Sequence, residues 1–254
     1  NVLKEFDKSL KVIMKILILS TQTKHHTYFI NKIAEHHNIC GIIYERKVLK
    51  KDYPTGPFHD NLADKYEDKF FEDGVPNDLS DELKKKIVEV YSVNNRNLQK
   101  YIESMNPDLI ITFGTGLVKP YIFNIPKWGT INIHRGDARN YRGLDSDLWA
   151  IKNEDFDKIN VTIHYVDENL DTGDILMEGN QPLSEVEEIY ELRYHTTILA
   201  TDMMLRTLEF FKKKGGRIKG TKQTKLGKYY TAMSLEEKYL TEDIFNDYKL
   251  YDNE

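Results

Sequence analysis

The sequence has little cysteine and no long hydrophobic run. Its 254 residues include a single cysteine, Cys40, so the chain cannot form an internal disulfide bond. Low cysteine content is typical of proteins from a reducing compartment. No apolar stretch approaches the roughly 20 residues that cross a bilayer, and no signal peptide opens the chain. We therefore expect a cytoplasmic protein that has no membrane partner.

Several motifs that would define a common enzyme class are also missing. The first strand–helix–strand segment lacks Gly-x-Gly-x-x-Gly, so a dinucleotide is not the expected ligand. Residues 215–220 have the glycine spacing of a P-loop, but Thr221 and Lys222 follow in the wrong order, which excludes one. No Gly-x-Ser-x-Gly elbow, His-Glu-x-x-His helix or Cys/His zinc pattern occurs, so we expect no metal. The formal charge of −5 argues against a nucleic-acid partner.

The sequence does contain apolar, β-branched runs that alternate with helical patterns, which predicts an α/β fold. Strands are expected at 13–19, 39–44, 87–93, 108–114, 129–134, 161–166, 175–177 and 228–233. Helices are expected at 58–72, at 184–215 after a Ser184-x-x-Glu187 capping box, and at 235–251. We predict a Rossmann-like, mostly parallel sheet in residues 13–215 and a small helix/strand appendage, 216–254, packed on it. Residues 1–11 are interpreted as an upstream extension.

The stretch that says most about function is residues 130–176. Residues 129–134 form a predicted strand, so Asn132 and His134 project from one face of it, at the sheet end where open α/β folds bind ligands. A second strand is followed by a turn that holds Asp171. If the two strands are neighbours, the Asp171 carboxylate reaches His134 and favours the protonated ring. A charged imidazole and an amide are two donors for a developing oxyanion, which predicts acyl chemistry.

This stretch resembles the catalytic core of the N10-formyltetrahydrofolate-dependent formyltransferases. That family has an Asn-x-His strand end, a Tyr-Arg-Gly loop and a strand that ends in Val-Asp-x-x-Leu-Asp-x-Gly. The motifs stand here as Asn132-Ile-His134, Tyr141-Arg142-Gly143 and Val166-Asp167-Glu-Asn-Leu170-Asp171-Thr-Gly173. The resemblance covers roughly residues 14–233 and implies catalytic roles for Asn132, His134 and Asp171.

The resemblance also implies binding residues. The segment after the 108–114 strand aligns with family backbone that lines the pterin pocket, where glycine lets a flat ring approach closely. The residues expected to bind the folate co-substrate are Thr115, Gly116, Leu117, Val118 and Asp167. Those expected to bind the acceptor are Arg135, Tyr141 and Arg142. The family usually has Pro-Ser-Leu-Leu after its His, whereas this chain has Arg135-Gly136-Asp137-Ala138, and we expect Arg135 to meet a phosphate or carboxylate of the acceptor.

Other polar residues have a structural interpretation. Asp171 also suits a turn beside Gly173, and Arg142 is favoured as a residue that orients its loop. The remaining expectations are a supporting core position for His164, surface positions for His25 and His26, and packing roles for Tyr229 and Tyr230. The charged region 47–86 is interpreted as a solvated helical insertion, the alternative being a lid that faces the substrate.

By resemblance, the reaction is the transfer of a formyl group from N10-formyltetrahydrofolate to a primary amine. His134 and Asn132 would stabilise the oxyanion, while Asp171 would keep His134 protonated and accept the amine proton. A nucleotide-linked amino sugar, used in polysaccharide biosynthesis, is the favoured acceptor. The methionyl-tRNA formyltransferases carry a further C-terminal domain, and the phosphoribosylglycinamide enzymes lack the tail after the long helix. This choice rests on family analogy.

Two functions from other classes stay open. In a formyltetrahydrofolate hydrolase, water replaces the amine at the same site. A non-catalytic binding module is suggested by the altered 135–138 loop. The charged, aromatic-bearing helix 235–251 is a candidate surface for a homodimer or for the substrate.

Overall fold

A seven-stranded sheet forms the centre of the molecule, built from the apolar runs of the sequence. The computed structural model describes residues 13–47, 50–71 and 78–252. The strands are β1 (Lys15–Ser20), β2 (Asn38–Glu45), β3 (Ile87–Val90), β4 (Leu109–Phe113), β5 (Thr130–His134), β6 (Tyr141–Gly143), β7 (Asn160–Tyr165), β8 (Ile175–Asn180) and β9 (Lys228–Tyr230). The order in the sheet is β3-β2-β1-β4-β5-β7-β8, and β6 pairs with β9 outside it. The first five strands are parallel, while β7 and β8 are antiparallel to their neighbours.

Helices cover both faces of the sheet. They are α1 (Lys24–His36), α2 (Asp60–Phe70), α3 (Asp81–Lys84), α4 (Arg96–Met105), α5 (Pro120–Phe123), α6 (Ser146–Lys152), α7 (Leu192–Lys214) and α8 (Leu235–Asp252). Side chains of α1 and α7 pack on one face, and those of α4 and α5 on the other. The predicted Rossmann-like, mostly parallel α/β fold is confirmed. None of the described helices is long and apolar enough to span a bilayer.

The predicted start of the long helix is wrong. Ser184 lies inside a short 3-10 turn, a second one covers Ile189–Glu191, and α7 begins only at Leu192. Leu183, Val186 and Ile189 are all buried, and their spacing of three residues matches the 3-10 repeat rather than the α repeat. Burial of that row therefore outweighs the local capping signal. The helix does end before Gly215, which adopts a left-handed C-cap with φ +66°.

The described part of the 47–86 region contains two helices, α2 and α3. Helix α2 packs against the start of α7, where Arg193 donates to the Glu67 and Asp64 carboxylates over 2.6–2.9 Å. Residues 72–77, where the predicted helix should stop, lie outside the described residues, as do residues 1–12. The solvated insertion is therefore also a brace for α7.

Residues after α7 return to the middle of the chain. Strand β9 pairs in parallel with β6, so Lys228–Tyr230 lies beside the Tyr-Arg-Gly motif. Helix α8 packs on α6, and Phe245 is 1% exposed in the cluster that they share. Burying one such aromatic side chain contributes about 1.5–3 kcal/mol. The C-terminal segment thereby fixes the position of β6, which borders the site described next.

Candidate functional site

A cavity of about 750 Å³ opens at the carboxyl ends of β1, β4 and β5. Side chains that follow parallel strands meet at this edge of an open sheet. Its wall includes Thr21 after β1, Gly114 after β4, and Asn132 and His134 on β5. Residues 143–145, Asp147 and residues 168–171 also line it. The cavity therefore contains all three members of the predicted catalytic set.

Asn132 is held in one orientation by β4. The Thr112 hydroxyl donates to Asn132 Oδ1 over 2.7 Å, so the amide nitrogen faces the other way. That nitrogen lies 3.2 Å from His164 Nε2 and 3.4 Å from Asp171 Oδ1. Alternation along β5 places His134 on the same face, as the sequence predicted. The amide donor is thus aimed at the site rather than at the core.

The His134 ring is fixed by a backbone carbonyl. Its Nε2 donates to the Tyr141 carbonyl over 2.7 Å, since a carbonyl can only accept. The other ring nitrogen, Nδ1, therefore faces the cavity side and lies 3.5 Å from Asp171 Oδ2. Both side chains are 5% exposed, so bulk water screens this contact weakly. Nδ1 is the only ring position left to handle a proton.

Asp171 is surrounded by donors. Its backbone is left-handed, with φ +55°, which aims the side chain back at β5. Oδ2 accepts from the Gly143 amide over 2.9 Å, and Oδ1 lies 3.4 Å from His164 Nε2. Burial by itself raises the pKa of the Asp171 carboxyl, but the His134 charge and the hydrogen bond from His164 outweigh it and hold that pKa well below its usual range. Asp171 is therefore ionised at every physiological pH.

His164 belongs to this group, which the sequence interpretation missed. It is buried, as expected of a supporting core residue, but its Nε2 lines the cavity between Asn132 and Asp171. Its Nδ1 donates to the Tyr165 carbonyl over 2.8 Å. A neutral ring accepts from the amide, and a charged ring donates to the carboxylate. The signal was available, because His164 pairs with Asn132 if β5 and β7 are antiparallel.

The prediction that His25 and His26 are surface residues is wrong. They are 7% and 4% exposed and line the cavity from the first turn of α1. The His26 ring packs edge-on against Phe113, and its Nδ1 lies 3.0 Å from the Thr21 carbonyl. Burial lowers the pKa of His26 from 6.5 to about 3, and burial, with a smaller effect of the adjacent His26 ring, lowers the pKa of His25 well below 6.5. Both rings are neutral at pH 7, so the part of the cavity wall that they form carries no charge.

The segment expected to bind folate lies largely on the cavity wall. Thr115, Gly116, Leu117 and Val118 all line it, and Leu117 is 46% exposed. The Gly116 amide donates to a carboxylate oxygen of Glu45 over 2.9 Å. This hydrogen bond anchors residues 115–118, called the ledge below, to β2. Asp167 does not line the cavity. Its carboxylate accepts from the Asn169 amide and from the Thr172 hydroxyl, so it shapes the turn that carries Asp171.

Of the three residues expected to bind the acceptor, the cavity wall includes only Arg135. Its Nη1 is buried and has no hydrogen-bond partner in the described part of the chain. The Tyr141 hydroxyl instead donates to the Asp155 carboxylate. The Arg142 guanidinium donates to the Gly227 and Leu170 carbonyls over 2.7 and 3.3 Å. Tyr141 and Arg142 therefore connect segments of the protein around the cavity and do not themselves line it.

The wall also contains residues that the sequence interpretation overlooked. Tyr229, expected in packing, is 53% exposed and lines the cavity, while Tyr230 does pack, between Tyr141 and Trp149. Asp147, at the start of α6, lines the cavity and is 8% exposed. Within the described ranges, no group of three His, Cys, Asp or Glu side chains is arranged to hold a metal ion.

The arrangement brings an amide donor and an imidazole beside an ionised, buried carboxylate. Negative charge at Asp171 stabilises positive charge on His134 at 3.5 Å. Donors held in place before reaction stabilise an oxyanion without reorganising. The site is therefore suited to acyl-type transfer through a tetrahedral intermediate.

Known proteins are similar in sequence to part of this chain. Methionyl-tRNA formyltransferase from Fusobacterium nucleatum is 31% identical over 141 residues, 55% of this chain and 44% of that protein. The enzyme of the same name from Ehrlichia canis is 38% identical over 112 residues, 44% of this chain and 37% of that protein. The matched part thus spans less than half the length of these curated relatives.

Solved structures show the same fold across nearly the whole chain. A sugar N-formyltransferase from Shewanella sp. superposes with a TM-score of 0.61 and 14% identity, covering 92% of this chain and 88% of that one. HypX from Aquifex aeolicus gives 0.59 and 17%, covering 92% and 36%. At these identities the likeness shows the fold alone. The family model described as formyl transferase matches residues 63–208, more than half of the sequence, and the chain therefore belongs to the formyl transferase family.

Proposed function

We propose that this protein transfers the formyl group of N10-formyltetrahydrofolate to a primary amine. The observation that carries the proposal is the convergence of Asn132, His134 and Asp171 in one cavity, with the Asp171 carboxylate 3.5 Å from His134 Nδ1. The reaction passes through a tetrahedral oxyanion. Asn132 and His134 supply two positioned donors to it, and losing one such donor typically costs about 100- to 1000-fold in rate.

The cavity has a wall that suits the folate donor. The ledge formed by residues 115–118 offers exposed backbone and the Leu117 side chain at the mouth of the cavity. A Cβ at Gly116 would meet only a Glu45 oxygen, at 3.7 Å, so the backbone is accessible to a flat ring. The formyl carbon would then lie toward β5, where the donors are.

For the acceptor we favour a nucleotide-linked amino sugar. The phosphates of such a substrate are negatively charged and need a cation in the cavity. His25 and His26 are neutral and cannot supply that charge. Arg135 is that cation, because its Nη1 is buried at the wall without a partner among the described residues. A guanidinium binds phosphate oxygens in pairs. The family resemblance supports the same choice.

The test is a direct assay. The protein is incubated with N10-formyltetrahydrofolate and a panel of nucleotide-linked amino sugars, and products are analysed by mass spectrometry. A mass gain of one formyl group supports the proposal, and Asn132→Ala and His134→Ala should abolish it with the fold intact. Release of formate with every sugar unchanged would favour the hydrolase, and neither product would favour a binding module.

An aminoacyl-tRNA is a second candidate acceptor, favoured by one specific surface. Residues 212–228 carry eight basic side chains and no acidic one, although the whole chain is acidic. All eight are exposed, and among the described residues only Lys212 has a carboxylate partner, Glu209. We call this segment the basic strip.

The basic strip is fixed to the fold and leads to the cavity. Thr221 exchanges two backbone hydrogen bonds with Ile175. Gln223 Nε2 donates to the Asp171 and Gly173 carbonyls over 3.0 and 2.9 Å. The strip ends beside Tyr229, an exposed ring on the cavity wall that offers a stacking surface. Positive charges distributed along a segment suit the phosphate backbone of a nucleic acid better than the single diphosphate of a nucleotide-linked sugar.

Charge reversal separates the two candidates. Lys222→Glu with Lys225→Glu should weaken the binding of a tRNA. The tRNA affinity should also depend less steeply on salt concentration, as if roughly one phosphate contact were lost for each lysine replaced. Formylation of a small nucleotide-linked sugar should change less than about threefold. The matched control is Lys32→Glu with Lys100→Glu, away from the strip. Formylated aminoacyl-tRNA from the wild type, with no sugar product, would make the second candidate the function.

A further inference from the structure

The site has an excellent stabiliser of charge but a poor acceptor for the amine proton. A primary amine must lose a proton after it attacks the formyl carbon. Asp171 is a poor acceptor for it, because Oδ2 accepts from the Gly143 amide over 2.9 Å and lies 3.5 Å from His134 Nδ1, while Oδ1 lies 3.4 Å from both His164 Nε2 and the Asn132 amide nitrogen. A carboxylate that is stabilised by so many donors is a weak base. The expectation that Asp171 accepts this proton is therefore not supported by its surroundings.

A second carboxylate lies on the same wall with far fewer contacts. Asp147 is the second residue of α6, 8% exposed, and lines the cavity that contains Asn132 and His134. Its side chain accepts from the Leu148 amide over 2.9 Å. Within the described ranges it makes no ion pair. A buried carboxylate that has unfilled oxygen lone pairs and lines the same cavity as the proposed oxyanion donors is suited to accept a proton.

The start of α6 is held close to His134 by Gly136. A Cβ at Gly136 would lie 2.5 Å from Ser146 Cβ and 2.6 Å from His134 Nε2. The loop after β5 can therefore pass between them only because residue 136 has no side chain. Asp147 follows Ser146 directly, so the start of α6 lies close to the His134 ring.

Asp147 lies among other charges. The cavity wall around it carries these charged or titratable groups: Arg135, Asp145, His25, His26, His134, His164, Glu168, Asp171 and Tyr229. On α8, which packs on α6, Lys238 pairs with Asp145 and Glu237 pairs with Lys152 of α6. Burial raises the pKa of the Asp147 carboxyl, while the Arg135 charge acts in the opposite direction. A carboxyl whose pKa moves toward neutrality is a stronger base than Asp171 and matches the proton transfer better.

We propose that Asp147 is a catalytic residue that takes the proton from the acceptor amine; the inference rests on the proposed formyl transfer. The amine nitrogen bonds to the formyl carbon, and the carbonyl π pair moves to the oxygen, which Asn132 and His134 stabilise. The nitrogen proton goes to an Asp147 oxygen. The electron pair on the oxygen then re-forms the carbonyl as the carbon–N10 bond breaks, the electron pair of that bond stays on N10, and N10 takes a proton from His134 Nδ1. Proton exchange with water restores Asp147 and His134.

The test compares Asp147→Asn and Asp147→Glu with the wild type, using the best amine of the acceptor panel. We expect Asp147→Asn to lower kcat by about 100- to 10,000-fold while the KM for N10-formyltetrahydrofolate changes less than threefold. The wild-type kcat should fall on the acid side as Asp147 is protonated, and this acid limb should disappear in Asp147→Asn. Asp147→Glu, which keeps the carboxylate, should recover part of the rate. Asp157→Asn, which changes an exposed carboxylate that does not line the cavity, is the control.

Three outcomes would overturn the assignment. A normal kcat and an unchanged acid limb in Asp147→Asn, with an active wild type, would remove Asp147 from the chemistry and leave the formyltransferase proposal standing. A low rate accompanied by loss of tetrahydrofolate binding, measured by fluorescence titration, would show a structural role. A wild type that formylates no amine at all would overturn both proposals, since no amine proton would then exist.

Discussion

The Gly143 amide donates to Asp171 Oδ2 over 2.9 Å and thereby joins the Tyr-Arg-Gly motif to the Leu-Asp-x-Gly turn. Each residue of the first motif holds one part of the site. The Tyr141 carbonyl accepts from His134, Arg142 donates to the Leu170 carbonyl, and Gly143 binds Asp171. The motif thus fixes His134 and Asp171, which are proposed to be catalytic, and its Gly143 also lines the cavity.

Asp171→Asn tests the charge of the carboxylate. Asn tolerates the left-handed backbone at this position, φ +55°, and its amide oxygen can still accept from Gly143. The fold should therefore survive, while kcat should fall at least about 100-fold because His134 loses the charge that stabilises it. Steady-state kinetics and thermal unfolding measure the two effects. Asp202→Asn, exposed on α7, is the control; loss of both activity and stability in Asp171→Asn would instead indicate a structural turn residue.

Gly136→Ala tests the close approach of α6 to the catalytic strand. The new methyl group would lie 2.6 Å from His134 Nε2 and 2.5 Å from Ser146 Cβ, so the ring or the helix must shift. We expect a loss of at least 10-fold in kcat and a destabilisation of about 1–3 kcal/mol, measured by kinetics and urea unfolding. Gly216→Ala is the matched control, since its Cβ would meet nothing within 4 Å. Equal behaviour of the two variants would contradict the proposed role of Gly136.

Arg135→Ala tests where the acceptor binds. The guanidinium lies on the cavity wall with an unpartnered Nη1 in the described structure. We expect the KM for the acceptor to rise about 10- to 100-fold, because one charge-assisted hydrogen bond contributes about 1.5–3 kcal/mol. Tetrahydrofolate binding, measured by titration, should stay nearly unchanged. Arg139→Ala, which removes an exposed pair with Glu178, is the control. Equal weakening of donor and acceptor would place Arg135 in the folate pocket or the fold.

His26→Gln tests the buried histidines that line the cavity from the first turn of α1. The folded-state pKa of His26 is about 3, against 6.5 for a free ring. Between these values the unfolded chain binds one more proton, so acid destabilises the fold by roughly 1.4 kcal/mol per pH unit for this group. The free energy of unfolding, measured with urea from pH 6.5 to 4.5, should depend less steeply on pH in His26→Gln than in the wild type. The difference in slope should correspond to about one proton. The exposed His36→Gln should leave the slope unchanged, and a wild type with no acid slope would refute the burial argument.

Parts of the site were predictable from the sequence because they depend on local geometry. Side chains alternate along a strand, so Asn132 and His134 had to share a face of β5 wherever the strand lay. The Gly215 helix end also needs only its own backbone, which adopts φ +66°. The turn that aims Asp171 was expected from Asp and Gly spacing. These features are properties of a few consecutive residues.

Other parts were decided only by tertiary packing. His25 and His26 are buried because Phe113 and Gly114, almost ninety residues later, close over them. Helix α7 begins at Leu192 rather than after Ser184 because the intervening apolar row is buried.

His164 joins the site because β5 and β7 pair antiparallel, and Arg142 turns away from the cavity because the Gly227 carbonyl lies behind it. Burial and partner choice depend on which distant segments meet. The local pattern of one chain therefore determines which residues share a face, and the packed fold determines what that face meets.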